Sequence, residues 1–138
     1  MTETTVRVNY SETDQMGVVY HARYLVWLDV ARCEHIRRAG QSYADLESAG
    51  FRLAVGELRI RYRQPARYDD VVRVRCWVRE ALSRRITFGY ALDLPERNEL
   101  IATAETSMFV LGRDLRPARL PPEVLALLPA QSDPVRLF

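Results

Sequence analysis

The stretch from Tyr10 to Gly40, YSETDQMGVVYHARYLVWLDVARCEHIRRAG, constrains what this chain can fold into more than any other. It opens on a polar loop around Glu12-Thr13-Asp14, passes Gly17, and enters a long helix near His21. Arg37 and Arg38 followed by Gly40 make the usual C-terminal stop: cations meet the negative end of the helix, and glycine takes the left-handed turn. The first half of the helix reads Tyr24, Leu25, Val26, Trp27, Leu28, Val30, Ala31, interrupted only by Arg23 and Asp29. A surface helix shows one apolar stripe, so a helix apolar nearly all round is expected to be wrapped on most sides.

The rest of the chain supplies mainly strands to wrap it. Thr5–Tyr10 alternates Val6, Val8 and Tyr10 with Arg7 and Asn9, the pattern of a half-buried strand. Residues 41–50 read as a short turn or helical piece around Tyr43 and Leu46. From Phe51 a long strand begins, with Leu53 and Val55 in one parity and Leu58, Ile60 and Tyr62 in the other. That switch, at Gly56-Glu57, marks a β-bulge. Arg59, Arg61 and Arg63 line its outer face. Pro65 and Tyr68-Asp69-Asp70 turn the chain into Val72, Val74, Cys76, Val78, with Arg73, Arg75, Trp77 and Arg79 opposite. A second alternation runs from Ile86 to Leu94 and a last one from Leu100 to Leu111. Pro122 then starts a short terminal helix over 123–128, stopped by Pro129. The order is strand, long helix, four long strands, short helix. It predicts an α+β domain over 1–138, an antiparallel meander of consecutive strands with one buried helix across it. One helix covers only one face of such a sheet. The Trp77 face and the sheet edges therefore call for a second copy of the chain.

Composition excludes several classes. All 20 basic residues are arginine, yet net charge is only +2, with no basic tail or like-charged block of the kind that binds nucleic acid. No apolar run reaches membrane-spanning length, and the N-terminal residues lack a charged-then-apolar leader. Cys33 and Cys76 lie among apolar neighbours without a CxxC spacing, which reads as buried reduced thiols in a cytoplasmic protein. With two histidines and no Cys/His cluster, no metal site is expected.

The residues Tyr10-x-x-Thr13-Asp14-x-x-Gly17-Val18-Val19-Tyr20-His21-x-x-Tyr24 closely resemble the signature of hotdog-fold acyl-CoA thioesterases. The likeness is to the 4-hydroxybenzoyl-CoA thioesterase family, and within it to the bacterial enzymes associated with the Tol–Pal system. It continues through Leu28-Asp29-x-Ala31-Arg32 and Tyr62-x-x-Pro65-Ala66-Arg67-x-Asp69-Asp70 to Pro117-Ala118-Arg119, most of the chain. The fold it implies is the hotdog: a curved antiparallel sheet of about five strands wrapped around one long central helix. The activity it implies is hydrolysis of an acyl-CoA thioester, the acyl group short-chain or aromatic, with no cofactor.

Thioester hydrolysis needs a nucleophile or a base, and donors for the oxygen that becomes negative. The resemblance assigns the first role to Asp14, attacking directly or activating water, and the oxyanion donor to the backbone N–H of His21 at the helix start. Gly17 is expected to let backbone approach the thioester. Read without the family, Asp14 is a turn or cap aspartate and His21 a polar residue at a helix start. Asp29 is a rival acid whose plainer reading is a buried partner of Arg32 or Arg23. Tyr10 and Tyr24 read as packing residues near the site. Ser83-Arg84-Arg85-Ile86-Thr87 occupies the position of the family's basic nucleotide-binding turn, which makes Arg84, Arg85 and Thr87, with Tyr24, the expected substrate-binding set. Ile86 departs from the family pattern, where a further basic residue stands. A homodimer or homotetramer is expected, its site joining the Asp14 loop of one copy to strand residues 53–58 of another. An acyl carrier protein is an alternative acyl donor. The rival classes are a hotdog dehydratase or hydratase using His21 and Asp29, and a non-catalytic acyl-carrier or envelope-associated binding protein.

Overall fold

The computed structural model describes residues 1–138 as strand β1 (Thr2–Arg7), a single 3-10 turn (Tyr10–Glu12), helices α1 (Arg23–Arg38) and α2 (Tyr43–Ser48), strands β2 (Arg52–Tyr62), β3 (Val71–Ala81), β4 (Arg85–Leu94) and β5 (Glu99–Leu111), and a one-turn helix α3 (Pro122–Leu125). The five strands form one antiparallel sheet in the order β1-β3-β4-β5-β2. The expected meander therefore holds only for β3–β4–β5. β2 and β3 are not neighbours: the link from Arg63 to Asp70 carries the chain from one edge of the sheet to the other, where β1 pairs with β3. α3 is also shorter than expected, because Leu127 N and Leu128 N close tight i→i+3 turns ahead of Pro129 instead of continuing the helix.

α1 lies across the inner face of this sheet, against β1 and β3. Its Tyr24, Trp27, Leu28, Ala31 and Ile36 enter one core with Val72, Val74, Cys76 and Val78 of β3 and Ile86, Phe88, Tyr90 and Leu92 of β4. These strand residues share one parity, as period-2 packing requires. The helix stops where its sequence says: Gly40 takes φ +95° and donates to Arg37 O, with Gln41 N reaching back to Ile36 O. A capping box between Ser42 and Asp45 then starts α2.

α1 is not wrapped on most sides within the chain. Val26 and Val30, one turn apart, are 51% and 43% exposed, with Leu25 beside them. The sheet covers one side of the helix and leaves an apolar stripe facing outward. Cys33 sits at the edge of this face, half-buried, and only Cys76 is the fully buried thiol expected.

The outer face of the sheet is covered differently from the expectation, by the chain's own C-terminal segment. Gln131 N donates to Val78 O, and Asp133 accepts from the Trp77 indole and from Arg79. Leu137 is buried against Trp77 and Ala91, its carbonyl accepting from Thr103 Oγ1. Phe138 lies under the Arg59 guanidinium at 3.9 Å. Gly89 explains how the large Trp77 fits: a Cβ there would stand 2.6 Å from the indole. The bulge in β2 is present, its register shifting between Val55 and Glu57. Gly56 is required there because any Cβ would lie inside the Phe109 ring, 1.8 Å from its nearest atom.

Candidate active site

Residues 13–19 form a closed loop beneath the helix start. Thr13 and Val19 bridge its base, Asp14 N donates to Val18 O, and Gly17 N donates to Asp14 O at 3.0 Å. Gly17 has φ +77°, which calls for glycine at this left-handed turn, and no atom of the chain lies within 4 Å of a would-be Cβ. The turn fixes Asp14 through its own carboxylate: Oδ1 accepts from Met16 N at 2.8 Å, while Oδ2 has no partner in the chain. The loop is anchored outward by Val19 N to Ala66 O and by Tyr20 N to Glu12 O. Glu12 is itself locked, one oxygen taking Asn9 N and the other the Trp27 indole at 3.0 Å.

The chain then turns into α1, and Arg23 N reaches Tyr20 O. The amides of His21, Ala22 and Tyr24 meet no acceptor within the chain, as the first turn of a helix leaves them. They add to the positive end of the α1 dipole. Asp14, Val18, His21 and Tyr24 share a cleft of about 300 Å³ with Met16, Tyr62, Gln64 and Pro65. It is apolar on the side of Val18, Tyr24 and Pro65 and polar at Asp14. Tyr24 is buried, its hydroxyl accepting Ala66 N at 3.2 Å, and burial pushes that hydroxyl above its ordinary titration range. A carboxyl oxygen without a partner, free amides at a helix N-terminus and a half-apolar cleft lined by both Asp14 and His21 suit attack on an acyl carbon with stabilisation of the oxyanion.

The remaining expectations separate. Asp29 pairs with Arg32 as expected, but its carboxylate is 62% exposed and faces a different cavity, beside Cys33 and Glu34. It is thus an exposed acid, not the buried one expected, and lies outside the cleft that Asp14 and His21 line. Arg32 is the buried member, held by Tyr43 at 2.8 Å. Tyr10 is exposed outside the cleft, edge-on to Tyr68. Arg84, Arg85 and Thr87 are not in the cleft either. Arg84 and Arg85 line a separate cavity of about 570 Å³ with Leu82, Phe109 and Pro117. Arg85 is paired with Glu80, whereas the Arg84 side chain has no partner; Thr87 is buried next to Ser107. Tyr62, Arg63 and Gln64 line the cleft and were not singled out as site residues, although Tyr62 and Pro65 lay within the stretch that carried the resemblance.

Fold and cleft together define the class: a hotdog protein with an acid loop at the N-terminus of its central helix. The model of the thioesterase-like superfamily matches residues 8–128, and the chain belongs to that family. It is 37% identical over 125 residues to the acyl-CoA thioesterase YbgC of Haemophilus influenzae, covering 88% of this chain and 89% of that one. The solved DHNA-CoA thioesterase of Staphylococcus aureus superposes with a TM-score of 0.82 at 35% identity, over 86% of this chain and 80% of that one. A hypothetical protein, TT1821, of Thermus thermophilus gives 0.87 at 37% identity, over 93% and 97%.

Proposed function

We propose that this chain hydrolyses acyl-CoA thioesters, with Asp14 as the reacting carboxylate and the amide of His21 as oxyanion donor. Membership of the thioesterase-like superfamily and relatives named as acyl-CoA thioesterases support the activity. The observation that carries the residue assignment is the half-committed Asp14: one oxygen is pinned by Met16 N, the other has no partner in the chain, and the residue lines a cleft together with His21 at the helix start. In the base route, Oδ2 takes a proton from water and the hydroxide adds to the thioester carbon. The carbonyl electrons move onto the oxygen beside the His21 amide. Collapse breaks the C–S bond, and the proton passes from Asp14 to the departing thiolate. In the nucleophilic route Oδ2 attacks first, CoA thiolate leaves, and water opens the resulting anhydride. A single turnover in H₂¹⁸O distinguishes them, since water attack at the Asp14 carbon of the anhydride leaves label in the protein. Neither route asks for a metal, so activity is expected to survive EDTA.

The site is completed by a second copy. β2 lies at the edge of the sheet, paired only on its β5 side, and exposes Val55 and Leu58. Its Tyr62 end borders the Asp14 cleft, and its Arg52–Val55 end pairs with the β5 residues beside Arg84 and Arg85. Antiparallel pairing of two such edges around a twofold axis sets the Tyr62 end of one against the Val55 end of the other. One copy's Asp14 then meets the other's Arg84. This arrangement reconciles the separated residues with a substrate that carries its phosphates far from its thioester.

The test is turnover on a panel of short-chain, branched, long-chain and aromatic acyl-CoAs by the wild type, Asp14→Asn and Asp29→Asn. Asn retains the turn but cannot attack or accept a proton. The expected result is a kcat loss of roughly 10²–10⁴-fold for Asp14→Asn at nearly constant KM, with little loss for Asp29→Asn. A folded, dead Asp29→Asn beside an active Asp14→Asn would move the chemistry to the helix.

A further inference from the structure

Between the Val19 anchor and the first turn of α1, Tyr20 N is held by Glu12 O, but the amides of His21 and Ala22 have no intramolecular acceptor and no backbone donor fixes the His21 carbonyl. One side chain does. The Tyr62 hydroxyl donates to the His21 carbonyl at 2.7 Å. Its ring is braced edge-on against Tyr24, centroids 5.2 Å apart at 83°, and stands perpendicular to the His21 ring at 6.5 Å. Tyr24 is in turn fixed by burial and by Ala66 N. A rigid strand end thus holds one peptide unit at the mouth of the Asp14 cleft.

We propose that Tyr62 is a positioning residue for hydrolysis, clamping the His21 peptide so that the helix-start amides stay aimed at the developing oxyanion. The inference rests on the reading of the Asp14 cleft as the hydrolytic site. The physical reasons are two. Fixing the His21 carbonyl fixes the plane of the peptide that follows the donor amide, which keeps donors in place without reorganisation during the reaction. The hydroxyl also absorbs the partial negative charge of a carbonyl that shares the residue of the donor, and a hydrogen bond to C=O polarises its own N–H, that of Ala22, in the favourable sense. Burial first, and then the neighbouring Tyr24, push the Tyr62 hydroxyl above its ordinary titration range, so it stays protonated and donating at working pH.

Tyr62→Phe keeps the ring and removes only the donor. On the best acyl-CoA of the panel it is expected to lower kcat roughly tenfold, less than outright loss of an oxyanion donor, with KM within about twofold and cooperative unfolding unchanged. A wild-type kcat overturns the clamp. So does a variant that loses cooperative unfolding, because the hydroxyl would then be holding the fold, or one in which KM alone rises. Asp14→Asn run in parallel separates the two claims: if it is inactive while Tyr62→Phe is normal, the clamp fails and the site stands. If it is active while Tyr62→Phe is slow, the acid is misassigned and the clamp remains.

Discussion

Asp14 and Gly17 act as a pair, three residues apart in one loop. The carboxylate is aimed by Met16 N, and that amide is in place only because Gly17 turns left-handed. Gly17→Ala is therefore expected to cost about 1–2 kcal/mol of strain and to lower kcat, although no atom obstructs the added methyl. Gly17→Asn, which tolerates that backbone, is expected to be milder in both respects. Urea unfolding with kinetics on the same samples checks the order, and an unimpaired alanine variant would contradict it. Arg84 and Arg85 make a second residue-scale contrast. Arg84 has no partner while Arg85 is paired with Glu80, so Arg84→Ala is expected to raise KM for acyl-CoA the more, by roughly tenfold for a charged phosphate contact, with kcat nearly constant. The effect is expected to vanish with N-acetylcysteamine thioesters, which lack phosphates; equal loss on both substrates would mean the arginines hold the fold. Asp14, Gly17 and His21 were singled out by the family resemblance; turn chemistry and a helix start alone mark them only as loop and cap residues. Tyr62 was not singled out, because a tyrosine at the end of an alternating strand looks like packing until its hydroxyl is seen on a carbonyl 41 residues away.

At the scale of elements, the strands and the helix were legible from parity, turn residues and the glycine stop, and even the β2 bulge showed as a parity slip. The pairing was not. Consecutive strands commonly pair, and nothing in the alternation of β2 says that it skips to β5. The C-terminal segment was equally silent, since residues 131–138 have no periodicity and bind through single contacts at Asp133, Leu137 and Phe138. Deleting Ser132–Phe138 uncovers Trp77 and Ala91 and is expected to cost roughly 2–4 kcal/mol, read from urea midpoints; an unchanged midpoint would show that this segment covers nothing of consequence. The junction of β1, α1 and β3 carries a pH dependence. His35 on α1 meets Thr2 Oγ1 at 2.9 Å, the N-terminal ammonium and Arg38 lie close by, and burial first, then the ammonium, lower its pKa below the ordinary 6.5. The unfolded chain therefore binds the proton more readily. This contribution to stability is complete above about pH 6.5 and is lost as pH falls toward the lower folded value. His35→Gln is expected to flatten that limb of the stability profile; an unaltered slope would place its origin elsewhere.

For the whole molecule, three features of the single chain remain open: the outer edge of β2, the apolar stripe at Leu25, Val26 and Val30, and the distance between the Asp14 cleft and the Arg84 cavity. The proposed twofold pairing of β2 edges would close the first and the third. The sequence had already called for a second copy on two grounds: the Trp77 face, which the chain covers itself, and the sheet edges, of which β2 is left unpaired on one side. The most direct measurement mixes two defective proteins. Asp14→Asn alone is expected to be inactive, and the double variant Arg84→Ala with Arg85→Ala is expected to be slow at acyl-CoA concentrations far below its raised KM. Unfolded together and refolded at equal amounts, half of the dimers would be mixed, and each would hold one site with both Asp14 and the arginines, so about a quarter of wild-type sites should return. Low-substrate activity well above the sum of the two parents is the result predicted. Activity equal to that sum, from an assembled mixture, would contradict a site shared between two copies.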